Sequence, residues 1–159
     1  SATWNVAGKQ VPLIADIGKG VYGAGKGNMQ DPSKVGSVLY NRGVSAAVAT
    51  VEALNTAQNK FGKGKVMTPV QVRWALENLN IDAARLKALG ATGLLPDIKT
   101  SCEDHEGSGK VRIQQWDGAK WVLVSDWIEG NRRLIHPLFE ASAKQYAKEK
   151  GITPACYKM

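Results

Sequence analysis

The chain has only two cysteines, Cys102 and Cys156, and they stand far apart. That excludes a CxxC redox motif and a structural zinc cage built from cysteines alone. Histidine is equally scarce: His105 and His136 are the only two, and neither accompanies a nucleophile in a recognisable motif. No catalytic constellation emerges, and the expectation is a protein that is not an enzyme. No stretch approaches the roughly 18 uninterrupted apolar residues that a membrane span needs. The start, SATWN, has neither a leading Met nor the basic-then-apolar pattern of a secretory signal, as expected of a processed or cut polypeptide. Internal repeats and low-complexity linkers are also missing.

What is present suffices for one globular domain, with 159 residues of which 43% are hydrophobic. The formal net charge is +7. Its Lys and Arg residues are scattered, without a dense run or an interleaved stacking motif, so a solvated basic surface is expected and nucleic acid is not.

The chain is organised around Lys110–Trp127, KVRIQQWDGAKWVLVSDW. Val111, Ile113 and Gln115 alternate with Arg112, Gln114 and Trp116, then Asp117-Gly118 interrupts the run and a second β-rich run, Trp121–Ile128, follows. This is the pattern of an antiparallel hairpin, with glycine supplying the positive φ of the turn. Three of the five tryptophans (Trp116, Trp121, Trp127) lie here, so the ribbon needs covering, and the helices upstream are expected to cover it.

Pro12 opens a weak amphipathic helix carrying Leu13, Ile14, Ile17 and Val21, with Gly18 and Gly20 working against it. Gly20–Lys26 has the skeleton of a phosphate-binding loop, but Gly27 follows where Ser or Thr would hold magnesium, and no strand precedes it; a plain loop over 23–33 is expected. Val35–Asn59 carries the longest helical pattern, with a core stripe of Val44, Ala47, Val48, Val51 and Leu54. Taken alone, Tyr40, Asn41 and Arg42 near its start read as a core tyrosine beside surface polar residues, although helix N-termini also attract carboxylates. Thr68-Pro69-Val70-Gln71 is a capping box that starts a helix with Val72, Ala75, Leu76 and Leu79 on one face. Asp82–Leu89 forms a short helix stopped by Gly90. Ser101–Gly109 gathers Cys102, Asp104, His105 and two Glu, but their types and spacing match no metal cage, and a loop is expected, with no metal and no cofactor. The last helix is placed from Pro137 to Gly151, with Phe139, Ala143, Tyr146 and Ala147 on one face. The two cysteines pair in an oxidising compartment and remain separate thiols in the cytosol.

Three segments in order, Gln30–Ala57, Thr68–Leu79 and Asp104–Trp127, resemble the C-terminal part of periplasmic solute-binding proteins of the branched-chain amino acid type, which serve ABC importers. The resemblance implies an α/β fold, the C-terminal part of a two-lobed type I periplasmic binding protein with helices plus a closing β-hairpin. Residues 1–8 are then a crossover strand into the first lobe, 9–109 its helical part, 110–130 the hairpin returning to the second lobe, and 131–159 a C-terminal helix and tail. It implies a small carboxylate ligand, such as an amino acid or aromatic acid, clamped between the lobes by Leu39, Tyr40, Asn41 and Arg42, with Trp4 and Asn5 near a crossover. Implied partners are that ligand, a missing N-terminal portion of the same protein and an ABC permease in the inner membrane. A periplasmic home would favour a Cys102–Cys156 bridge. The alternatives are a ligand-sensing regulatory domain of the same fold, or a small α+β enzyme using Asp104, His105 or Arg42.

Overall fold

The computed structural model describes residues 10–153, 155 and 156. The expected crossover strand at 1–8, with Trp4 and Asn5, lies outside the described residues. The α-helices are α1 (Pro12–Ile17), α2 (Val38–Phe61), α3 (Pro69–Leu76), α4 (Ala83–Ala88) and α5 (Arg132–Lys150); of six short strands, one precedes α4 and five lie between α4 and α5. The strands are β1 (Asn80–Ile81), β2 (Ile98–Lys99), β3 (Lys110–Val111), β4 (Gln114–Trp116), β5 (Trp121–Leu123) and β6 (Ile128–Glu129). They pair antiparallel as β1–β2, β3–β6 and β4–β5. The result is a small mixed helix and strand domain. The two lobes of a type I binding protein would need helices packed on parallel sheets; among the described residues the only parallel pairing is the isolated bridge Thr92–Leu95.

Local chemistry sets the helix ends. Ser37 Oγ accepts from Tyr40 N at 3.3 Å and so starts α2 three residues later than the hydropathy pattern places it. At α3 the expected capping box is complete: Thr68 Oγ1 accepts from Gln71 N, and Gln71 Oε1 accepts from Thr68 N at 2.9 Å. Asp82 caps α4, and Gly90 follows it at φ +65°. A Cβ on Gly90 would also crowd Leu13 N at 3.2 Å, while the Gly90 carbonyl accepts from that same N–H. α5 starts five residues before its expected start, because Asn131 Oδ1 accepts from Leu134 N. Pro137 is accommodated inside the helix, where it forfeits one backbone bond.

The core gathers Val11, Ile14, Val35, Leu79, Ile81 and Leu94 with their neighbours, all of it between residues 11 and 98. α2 packs against α3, where Phe61 stands edge-on to Trp74 at 5.3 Å between centroids, and Ala53 and Ala57 of α2 are buried. The buried face of α2 matches the expected one only in part: Val44 packs on the core, but Asn41, Glu52, Ala53 and Ala57 are inside while Val51 and Leu54 are exposed. Glu52 can lie there because Arg85 of α4 donates to both its oxygens at 2.7 Å.

The C-terminal third is built differently. β4 and β5 form the expected hairpin, Trp116 opposite Trp121, closed by Asp117–Lys120 with Gly118 at φ +104°. Asp117 Oδ1 accepts from Ala119 N and Lys120 N, which holds its carboxyl below the usual range. The second run is broken at Val124–Trp127 before β6 pairs with β3. The upstream helices do not cover this ribbon: Trp116 and Trp121 are each about half exposed. Beyond Ile98, Ala147 is the only buried hydrophobic among the described residues.

Candidate functional site

The cluster expected at the start of α2 is divided by helical geometry. Tyr40 turns inward, its ring edge-on to Tyr22 at 6.3 Å with the hydroxyls 3.5 Å apart. Tyr22 in turn lies against Gly27, where a Cβ would fall 2.3 Å from its ring. Burial and then the Tyr22 hydrogen bond push the Tyr40 phenol up to about 12. Asn41 is fully buried, whereas Leu39 and Arg42 face solvent. The four do not converge, and neither cavity described below is lined by any of them.

The loop at 101–109 and α5 make a second cluster. Cys102 is bonded to Cys156, beyond the C-terminal end of α5. Near the helix start, Arg132 Nη1 donates to the Gly107 carbonyl at 2.8 Å, and Nη2 reaches both Asp104 Oδ2 and His136 Nε2. The loop thus holds the start of the helix and the tail that follows it. It is itself steadied by Ser101 Oγ, which accepts from Glu103 N and Asp104 N. Between loop and helix lies an open cavity of about 190 Å³, with Asp104, Glu106, His136 and Phe139 in its wall. Asp104, Glu106 and His136 present ligand atoms within 4.8 Å of one another, a spacing a cation could use. The Arg132 guanidinium already sits against two of the three, so the cluster reads as an anchor for α5. Sequence reasoning singled out Asp104 and His105 but missed Arg132 and His136; their i,i+4 spacing was the available signal.

A wider, polar groove of about 610 Å³ runs beside the Glu52–Arg85 pair and includes Asn55, Gln58 and Lys63. The Arg85 hydrogen bonds hold the Glu52 carboxyl below its usual range and raise the guanidinium. The pair ties α2 to α4 across 33 residues of sequence.

A further uncovered feature is apolar. On α5, Leu134, Ile135, Leu138 and Tyr146 lie within one arc of the helix, and Leu134 and Leu138 are 67% and 64% exposed. The anchoring face, with Arg132, His136 and Ala147, adjoins this arc through Phe139, which packs edge-on to His136.

No protein-family model and no curated protein matches the chain. Among solved structures it is similar to one described as an ABC transporter permease from the Pseudomonas fluorescens group, at 44% identity and a TM-score of 0.92. The match covers 98% of this chain and 37% of that one, so the chain spans little more than a third of its neighbour's length. This overturns the resemblance to periplasmic solute-binding proteins, and with it the type I two-lobed assignment and the ligand-clamping function. Neither alternative, the regulatory domain or the small α+β enzyme, gains support. The partners change as well. A permease is what the chain resembles rather than what it serves, and nothing supports a carboxylate ligand or a missing N-terminal portion as partners. The described fold, three short antiparallel pairs and five helices, is shared along nearly its whole length with a structure described as an ABC transporter permease.

Proposed function

We propose that this chain is an extramembrane part of an ABC transporter permease. The observation that carries the reading is the 44% identity to the permease-described structure across 98% of this chain. A second point bears on "extramembrane": among the described residues no helix is long and apolar enough to cross a membrane. Its role is non-enzymatic, one of contact and support within the transport system.

The periplasm is the compartment we assign to it. The Cys102–Cys156 bridge supports this, since such bonds persist in oxidising surroundings and are rare in the cytosol. Two experiments test the reading. Cross-linking in intact cells, followed by purification through a tag on this chain, is expected to recover the ATP-hydrolysing subunit of an ABC transporter. Recovery without such a subunit overturns the assignment. Protease added to spheroplasts is expected to cleave the chain, and full protection would place it on the other side of the membrane.

A further inference from the structure

We infer that α5 is a docking surface for an anionic lipid bilayer, lying along the headgroup region on its exposed apolar arc. The inference rests on geometry and charge and is independent of the transporter assignment. Leu134, Ile135, Leu138 and Tyr146 form the arc, which Gln145 and Glu149 share toward its C-terminal end, and Phe139 at its edge turns into the cavity wall beside His136. Arg133, Lys144 and Lys148 lie along one flank, and Lys150 stands over the Tyr146 ring at 5.9 Å. Over the helix, five Arg and Lys face two Glu. A helix with an apolar arc, a basic flank and low average hydrophobicity lies in a membrane interface rather than across it. The ribbon that precedes α5 also exposes Trp116 and Trp121, the residue type that settles at headgroup level.

Charge decides between occupants. A second copy would bring another chain of net charge +7 against the same basic helix, which repels. An anionic bilayer attracts that charge and buries the arc at once. Arg132 ties the start of α5 to the 101–109 loop at one edge of the arc, and Leu134 and Leu138 stay outward.

The test is sedimentation of the oxidised full chain with phosphatidylcholine vesicles, with and without phosphatidylglycerol, while the tryptophan emission is recorded. Expected are binding stronger by more than about tenfold to the anionic vesicles, loss of that binding at high salt, and a blue shift on binding. Leu134→Glu with Leu138→Glu should abolish binding, and Lys144→Glu with Lys148→Glu should weaken it. Circular dichroism and the intact disulfide show that each variant is folded. Equal binding to both vesicle types, no binding, or binding that survives the two glutamates overturns the inference. So does light scattering that finds a dimer which Leu138→Glu converts to monomer, since the arc is then a contact between copies.

Discussion

Reduction of the Cys102–Cys156 bridge should act on one part of the molecule and spare the other. The bridge spans a sequence separation of 54 residues, while the core from Val11 to Leu95 lies wholly outside the loop it closes. In the chain-entropy treatment a loop of that length contributes roughly 4 kcal/mol. That stabilisation belongs to the ribbon and α5, where Ala147 alone among the hydrophobic residues is buried. At about 1.4 kcal/mol per factor of ten, full loss corresponds to roughly a thousandfold change in the opening equilibrium. The Arg132 contacts to Asp104 and Gly107 remain after reduction and make this an upper bound. Hydrogen exchange followed by mass spectrometry, with and without a reductant, reads the effect directly. Amides of Arg132–Lys150 should lose protection by up to that factor, while those of Val38–Phe61 hold theirs. A Cys102→Ser/Cys156→Ser chain should behave like the reduced protein. Unchanged protection in α5, or equal losses in α2 and α5, would refute the division of the molecule into a core and a tethered segment.

Three further outcomes follow from single contacts. Glu52→Gln should cost about 1–3 kcal/mol in chemical denaturation at neutral pH, by removing a charged partner from Arg85. Because the folded Glu52 carboxyl is held below its unfolded value, its contribution is complete above about pH 4.3 and is lost as pH falls through the folded value. The gap between wild type and variant should therefore close in acid, and a gap that widens there contradicts the pairing. Thr68→Ala should cost about 1 kcal/mol by removing half of the capping box, read as a shift in denaturation midpoint; no shift would mean that α3 is held by packing alone. Gly90→Ala should cost more than about 1 kcal/mol, because φ is +65° there and the new Cβ crowds Leu13 N and Pro12. Thermal melting unchanged by that substitution would remove the α1–α4 junction from the account.

Sequence legibility tracked how local the physics is. The capping box at Thr68–Gln71, the stop at Gly90 and the Asp117-Gly118 turn each depend on a few neighbouring residues, and all three are present. The buried face of α2 is legible only at Val44, because Glu52 enters the interior on the strength of a partner 33 residues away, which hydropathy cannot see. The Arg132–Asp104–His136 anchor stayed hidden for the same reason: it unites a loop and a helix across the whole ribbon. Tyr40 illustrates the reverse. Its own sequence suggested a core residue, the family resemblance recast it as a ligand contact, and the structure packs it against Tyr22. That resemblance was carried by helix and hairpin order, which unrelated functions share. The uncovered tryptophans were legible as apolar area needing a cover, but not as area that this chain leaves open.

The central claim, that the chain works as part of an ABC transporter permease outside the membrane, is tested most directly by in-cell cross-linking and tag purification. The account predicts recovery of the transporter's ATP-hydrolysing subunit, with cross-links from this chain to membrane-embedded polypeptide. A chain that is purified from the soluble fraction with neither would contradict it.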